Sequence, residues 1–144
     1  MPPRRAATTD LIWDFSEFTE QMSITSETGV PNVGYNGLII QGAMTSDKKD
    51  YISTEGVHFN GATKTAQRAI VYTPSLQGRL TVAYKSNGST ARGCYISTHY
   101  GTTDVIAMDS DVVGSVTARL SPGQQYIIGC DAGITITNVI FSPF

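Results

Sequence analysis

Arg68 and Arg92 each open a β-rich segment after a stretch of small residues. A guanidinium is a rigid planar fork of N–H donors, and it grips a carboxylate through two parallel hydrogen bonds. With Lys64, from Asn60-Gly61-Ala62-Thr63-Lys64-Thr65-Ala66-Gln67, these arginines define a cationic rim suited to an acidic sugar such as galacturonate. The competing reading makes them a structural pair that ties loops to backbone carbonyls. Flat aromatic faces stack on pyranose rings while a few polar groups set orientation. Tyr51, Tyr72, Tyr84, Tyr95 and Tyr100 are available for that role. Tyr84 is in phase with Leu80 and Val82 and belongs to the core, whereas Tyr100 sits in the loop His99-Tyr100-Gly101-Thr102, where it can be exposed. Trp13 is read as a core anchor. The expected ligand set is therefore Lys64, Arg68, Arg92 and Tyr100.

Other chemistry finds less support. Asp109 and Asp111, with Asp104 nearby, offer hard oxygens, but calcium takes six to eight of them and three carboxylates on one loop do not make a cage. A solvated acidic turn is the reading adopted, and no metal is expected. The two histidines, His58 and His99, lack the spacing of a zinc site, and no cofactor-binding motif occurs. No G-x-S-x-G nucleophile turn or phosphate-cradling glycine loop is present, so the chain is not expected to be an enzyme. Asn87-Gly88-Ser89 matches a glycosylation acceptor and is read as a turn. Cys94 and Cys130 are either two small buried thiols or a bridge between neighbouring strands.

The elements that must carry these residues are strands. From Arg68 to Thr98, short β-rich segments alternate with turns at about ten-residue intervals, the pattern of a sandwich. Leu80, Val82 and Tyr84 fall on one face of a strand and Thr81, Ala83 and Lys85 on the other. With a turn at Pro74–Gly78 and a hairpin turn needing positive φ at Asn87-Gly88-Ser89, this region reads as three consecutive antiparallel strands. Leu11–Phe15, Gly37–Gln41, Tyr51–Ser53 and Val57–Gly61 are further strands, with residues 23–36 a long loop. Asp104–Met108 and Ser115–Leu120 bracket the acidic turn, and Gln125–Gly129 follows the turn at Pro122-Gly123. In the closing segment Ile134 and Ile136 are in phase, but Val139 and Phe141 are out of phase with them. A β-bulge at Thr137-Asn138 restores one inward face. The fold expected is an all-β, jelly-roll-like antiparallel sandwich of nine or ten short strands, with Leu80, Val82, Ile96, Ile128, Ile136 and Phe141 in its core.

At 144 residues this is one domain, 11–144, preceded by an extended arm, 1–10. Charged residues are 15% of the chain against roughly 25% in ordinary domains, so hydroxyls dominate the wet faces. The net charge of −2, with no basic run longer than the pairs Arg4-Arg5 and Lys48-Lys49, argues against nucleic acid as a partner. No segment approaches a membrane span, and residues 1–10 lack the apolar core of a secretory signal.

Trp13-Asp14-Phe15-Ser16, Gly56–Gly61, Arg68–Tyr72, Gly78–Val82, Ala91-Arg92 and Gly133–Phe141 together resemble the non-catalytic β-sandwich module attached to secreted pectate lyases of gut Bacteroidetes. The resemblance implies a jelly-roll-like fold, a glycan-binding role and no catalytic residues. A free-standing chain with a basic arm is expected in a different setting, the surface of a bacteriophage virion, as a capsid decoration or head-fibre protein made in the host cytoplasm. There Pro2, Pro3, Arg4 and Arg5 would lie extended along other virion proteins. The alternative is an extracellular, pectin-like glycan-binding module of a secreted polysaccharide-degrading system.

Overall fold

A computed structural model of the chain describes residues 9–24, 32–42, 50–63, 68–99 and 105–144. Among these residues the thirteen regular elements are all strands, paired antiparallel in two sheets. The seven-stranded sheet runs β11 (Val113–Leu120), β8 (Gly78–Ser86), β13 (Ile134–Pro143), β6 (Gly56–Phe59), β5 (Tyr51–Ser53), β2 (Met22–Ser23), with β1 (Leu11–Trp13) also on β13. The six-stranded sheet runs β10 (Val105–Asp111), β9 (Arg92–Ser97), β12 (Tyr126–Cys130), β7 (Ala69–Tyr72), β4 (Leu38–Gln41), β3 (Asn32–Tyr35). This is the expected all-β sandwich, with more strands than expected.

Part of the excess lies in residues 23–36, which are not one loop. β3 pairs with β4 through Tyr35 and Leu38, leaving Asn36 and Gly37 as a two-residue turn at φ 47° and 95°. Two positive-φ residues in succession are what a type I′ hairpin requires, and Asn-Gly supplies them most readily. The three-strand reading of 68–98 is also corrected. β7 and β9 belong to one sheet and β8 to the other, so the segments after Tyr72 and after Ser86 carry the chain across the sandwich. Asn87-Gly88 is accordingly no hairpin turn, and Gly88 is not among the positive-φ glycines. Alternation tells which side chains face a core, but not which strand lies alongside. Asp109 and Asp111 fall within β10 rather than on a turn, and the chain reverses at Val112.

The six expected core residues are all buried, as are Trp13 and Tyr84. The bulge expected in β13 is present: the register against β8 shifts between Ile136 and Asn138. Ile134 and Ile136 thus join Val139 and Phe141 in one core. Gly56, at φ 125°, packs against this irregularity so closely that an added Cβ would overlap the Ile136 carbonyl.

Cys94 and Cys130 are directly opposed on β9 and β12, buried, and free thiols. Burial raises both, Cys130 to about 12 and Cys94 well above the ordinary value. Neither is a nucleophile near neutral pH.

The two sheets differ on their outer sides. β7 and β12 are buried on both faces, and the outward Ala69, Val71 and Ile127 form a second apolar cluster. Thr63 lies over that side, its hydroxyl accepting the Cys130 N–H at 2.9 Å. On the seven-stranded sheet the outward residues of β8 and β11 remain partly or fully exposed. Among the described residues, the open face is therefore the outer face of the seven-stranded sheet.

Gly56→Ala should destabilise the domain by about 2–4 kcal/mol, because the position combines a disfavoured φ with overpacking against rigid backbone. Denaturant unfolding checks this, and a variant of unchanged midpoint would contradict the packing described.

Candidate functional site

On the open face, register aligns Tyr51 with His58, His58 with Thr135, and Thr135 with Lys85. The row exists because outward positions of β5, β6, β13 and β8 coincide where the strands pair. The rings of Tyr51 and His58 stack with centroids 4.4 Å apart and planes 6° apart. Lys85 Nζ lies 3.5 Å from Glu55 Oε2, an exposed pair across the end of the row.

Asn87 organises one flank. Its Nδ2 donates to the Phe59 carbonyl at 2.9 Å and lies 3.4 Å from His58 Nε2. Its Oδ1 accepts the Thr135 hydroxyl at 2.6 Å, and Thr135 Oγ1 is 3.3 Å from His58 Nδ1. The proton assignment follows from donor counting. The Thr135 hydroxyl proton is spent on Asn87, so His58 Nδ1–H donates to Thr135 and Nε2 accepts from Asn87. That is a neutral imidazole. Burial lowers its pKa, against opposing contributions from Asp50 and Glu55, while Lys85 adds to the lowering.

Arg92 belongs to the same end of the sandwich. Its Nη1 donates to the Gly133 carbonyl at 2.7 Å, the same carbonyl that accepts the Asn87 N–H at 3.1 Å. An added Cβ at Gly88 would press on its guanidinium, so the loop lies flat over this side chain.

Arg68 is placed differently. Its side chain is 4% exposed, and Nε lies 2.9 and 3.0 Å from the two carboxylate oxygens of Asp50, itself fully buried. Asp50 Oδ1 also accepts the Asn60 N–H at 2.7 Å, and the Asp50 carbonyl accepts Ile24 N–H at 3.0 Å. Arg68 thus holds β2, β5 and the segment after β6 together beneath the rim. A guanidinium so enclosed presents no fork to solvent, and the structural reading applies to it.

Lys64, Tyr100, Asp104 and the arm residues Pro2, Pro3, Arg4 and Arg5 lie outside the described residues. Asp109, weighed as a calcium ligand, accepts the Tyr84 hydroxyl at 2.6 Å, and Asp111 accepts the Val112 N–H at 2.7 Å. Among the described residues no three His, Cys, Asp or Glu side chains are grouped to hold a metal ion. The residues missed by sequence reasoning are His58, Asn87, Thr135, Lys85 and Glu55. A signal existed, since a hairpin turning at Thr54-Glu55 necessarily sets Tyr51 opposite His58.

No protein-family model matches the chain, and no curated protein does. Among solved structures it is similar to one from work on glycan recognition by the Ruminococcus flavefaciens cellulosome, at 15% identity and TM-score 0.48, covering 96% of this chain and 97% of that one. It is similar to a family 6 carbohydrate-binding module at 11% identity and TM-score 0.44, with both chains fully covered. It also resembles the K1 cleaved adhesin domain of Lys-gingipain from Porphyromonas gingivalis W83, at 13% identity and TM-score 0.44, covering 95% and 99%. All three scores fall below 0.5, and function is therefore read from this chain's own side chains.

Two outcomes test this geometry. Arg68→Ala, which removes the guanidinium from the buried Asp50 carboxylate, should cost about 3–5 kcal/mol in denaturant unfolding. A variant of native stability would return Arg68 to the rim. Because the folded pKa of His58 is depressed, its contribution is complete above the unfolded value of about 6.5 and is lost as pH falls through the folded value. The stability advantage of the native chain over His58→Gln should therefore shrink from about pH 7.5 to about pH 5. Unfolding midpoints at both pH values check it, and a difference independent of pH would contradict the neutral assignment.

Proposed function

We propose that this chain is a non-enzymatic glycan-binding module whose ligand lies along the open face of the seven-stranded sheet. The observation that carries the reading is the partly exposed Tyr51–His58 stack, flanked by the Asn87 carboxamide and the Lys85–Glu55 pair. Apolar ring surface beside a few oriented polar groups is the composition of a site for a polyhydroxylated ligand. The two rings are held in register by the sheet, so little side-chain entropy remains to be lost on binding. Arg92, at the same end, extends the polar rim.

Glycan-array screening of the multimerised protein should show selective retention, and Tyr51→Ala should weaken it about tenfold or more, as truncation of an aromatic anchor does. Tyr51→Ala should keep a cooperative unfolding transition. Incubation with retained glycans should release no reducing ends. Absence of retention on any glycan, or unchanged retention by Tyr51→Ala, would overturn the reading, and released product would replace it with an enzymatic one.

A further inference from the structure

At the opposite end of the open face, Arg79 on β8 and Arg119 on β11 are directly opposed in register. Like charges at directly opposed positions of an antiparallel pair repel. Both side chains are exposed, and among the described residues neither has a carboxylate partner. What gathers them is Phe144, whose ring lies 4.8 Å from the Arg119 guanidinium carbon and 5.9 Å from that of Arg79. The ring is fixed by the Phe144 N–H, which donates to the Gln77 carbonyl at 3.0 Å, and it remains 45% exposed. Two guanidiniums with no ion-pair partner among the described residues, beside an exposed aromatic ring, form a cationic and apolar surface.

We infer that Arg79, Arg119 and Phe144 form an anion subsite that makes the ligand of this face a carboxylate-bearing glycan. The inference rests on the glycan-binding reading above and extends it to a substrate class. A carboxylate placed between the guanidiniums converts their repulsion into two charge-assisted contacts, and planar oxygens match planar forks. The ground between the two clusters favours a sugar chain over other anions. Six residues of β8 separate Arg79 from Lys85, about 20 Å at strand rise. Thr81 and Thr117 line that interval, with their hydroxyls 3.3 Å apart. The acidic preference expected of the rim of Lys64, Arg68 and Arg92 is on this inference carried by two arginines on the open sheet.

The experiment is a pair of NMR titrations of the whole chain, one with oligogalacturonate and one with its methyl ester, which has the same rings without the charge. The arginine Nε–H resonances of Arg79 and Arg119 should shift with the acid and not with the ester, while Tyr51 and His58 respond to both. Arg79→Gln/Arg119→Gln should lower affinity for the acid about tenfold, leave affinity for the ester unchanged, and retain the native unfolding midpoint within a few degrees. Response of Tyr51 and His58 to both oligomers with silent arginines would overturn the anion subsite and leave the glycan reading standing. Arginine shifts with silence at Tyr51 and His58 would support the subsite and overturn the site proposed above. No shift with either oligomer would overturn the inference.

Discussion

One extra residue in β13 sets the arrangement of the seven-stranded sheet. Side chains alternate with period two, so an unbroken strand would send either Ile134 and Ile136 or Val139 and Phe141 into water. Each such side chain is worth about 1.5–3 kcal/mol when buried. The register shift between Ile136 and Asn138 brings both pairs into the same core. It also divides the strand's neighbours, with β6 beside Ile134–Ile136 and β1 beside Val139–Phe141. The outward residues are divided in the same way. Thr135 lies among the rings of β5 and β6, while Ser142 lies beside Arg79 near the end of the strand. The bulge is thus a packing device whose by-product is a face with two chemically different ends.

Why that face is open, while the central strands β7 and β12 of its counterpart are covered, is a question of where connections run. The outer side of the six-stranded sheet carries its own apolar cluster, with Thr63 over it. The Asp50–Arg68 pair anchors the start of β5 and the segment that leads over this covered side. Burying an ion pair is costly unless the remaining lone pairs are satisfied, and here the Asn60 amide supplies a further donor. The pair stands next to Tyr51 in the chain, so the element that closes one side of the sandwich also fixes the first ring of the row on the other.

Much of this was legible in the residues. The phase break in Gly133–Phe141 located the bulge, and alternation along Gly78–Ser86 located one face of the core. Sheet membership was not legible, because β7, β8 and β9 have the same pattern whether they lie side by side or alternate between sheets. The Asn36-Gly37 turn carried a strong local signal that a Gly/Pro-rich surrounding obscured. Arg68 and Arg92 look alike in sequence, each opening a strand after small residues. What separates them is Asp50, 18 positions from Arg68, a contact that no local pattern encodes. The stacked row was half legible: hairpin arithmetic pairs Tyr51 with His58, but Thr135 and Asn87 join them only through pairings 77 and 48 positions apart in the chain.

An open sheet face limits what any one contact can contribute. A cleft buries 70–90% or more of a small ligand, whereas a flat face leaves one side of it in water, so a single sugar on the Tyr51–His58 stack would be held weakly. Length changes this. Once one end of a chain is engaged, the other meets its subsite at an effective concentration set by the intervening span, without paying again for association. With clusters about 20 Å apart on one rigid sheet, that gain is available to a ligand long enough to reach both and to no shorter one. On the glycan-binding reading, a face of this construction would select first for polymers over monosaccharides, and only then, through the charge at its far end, among polymers.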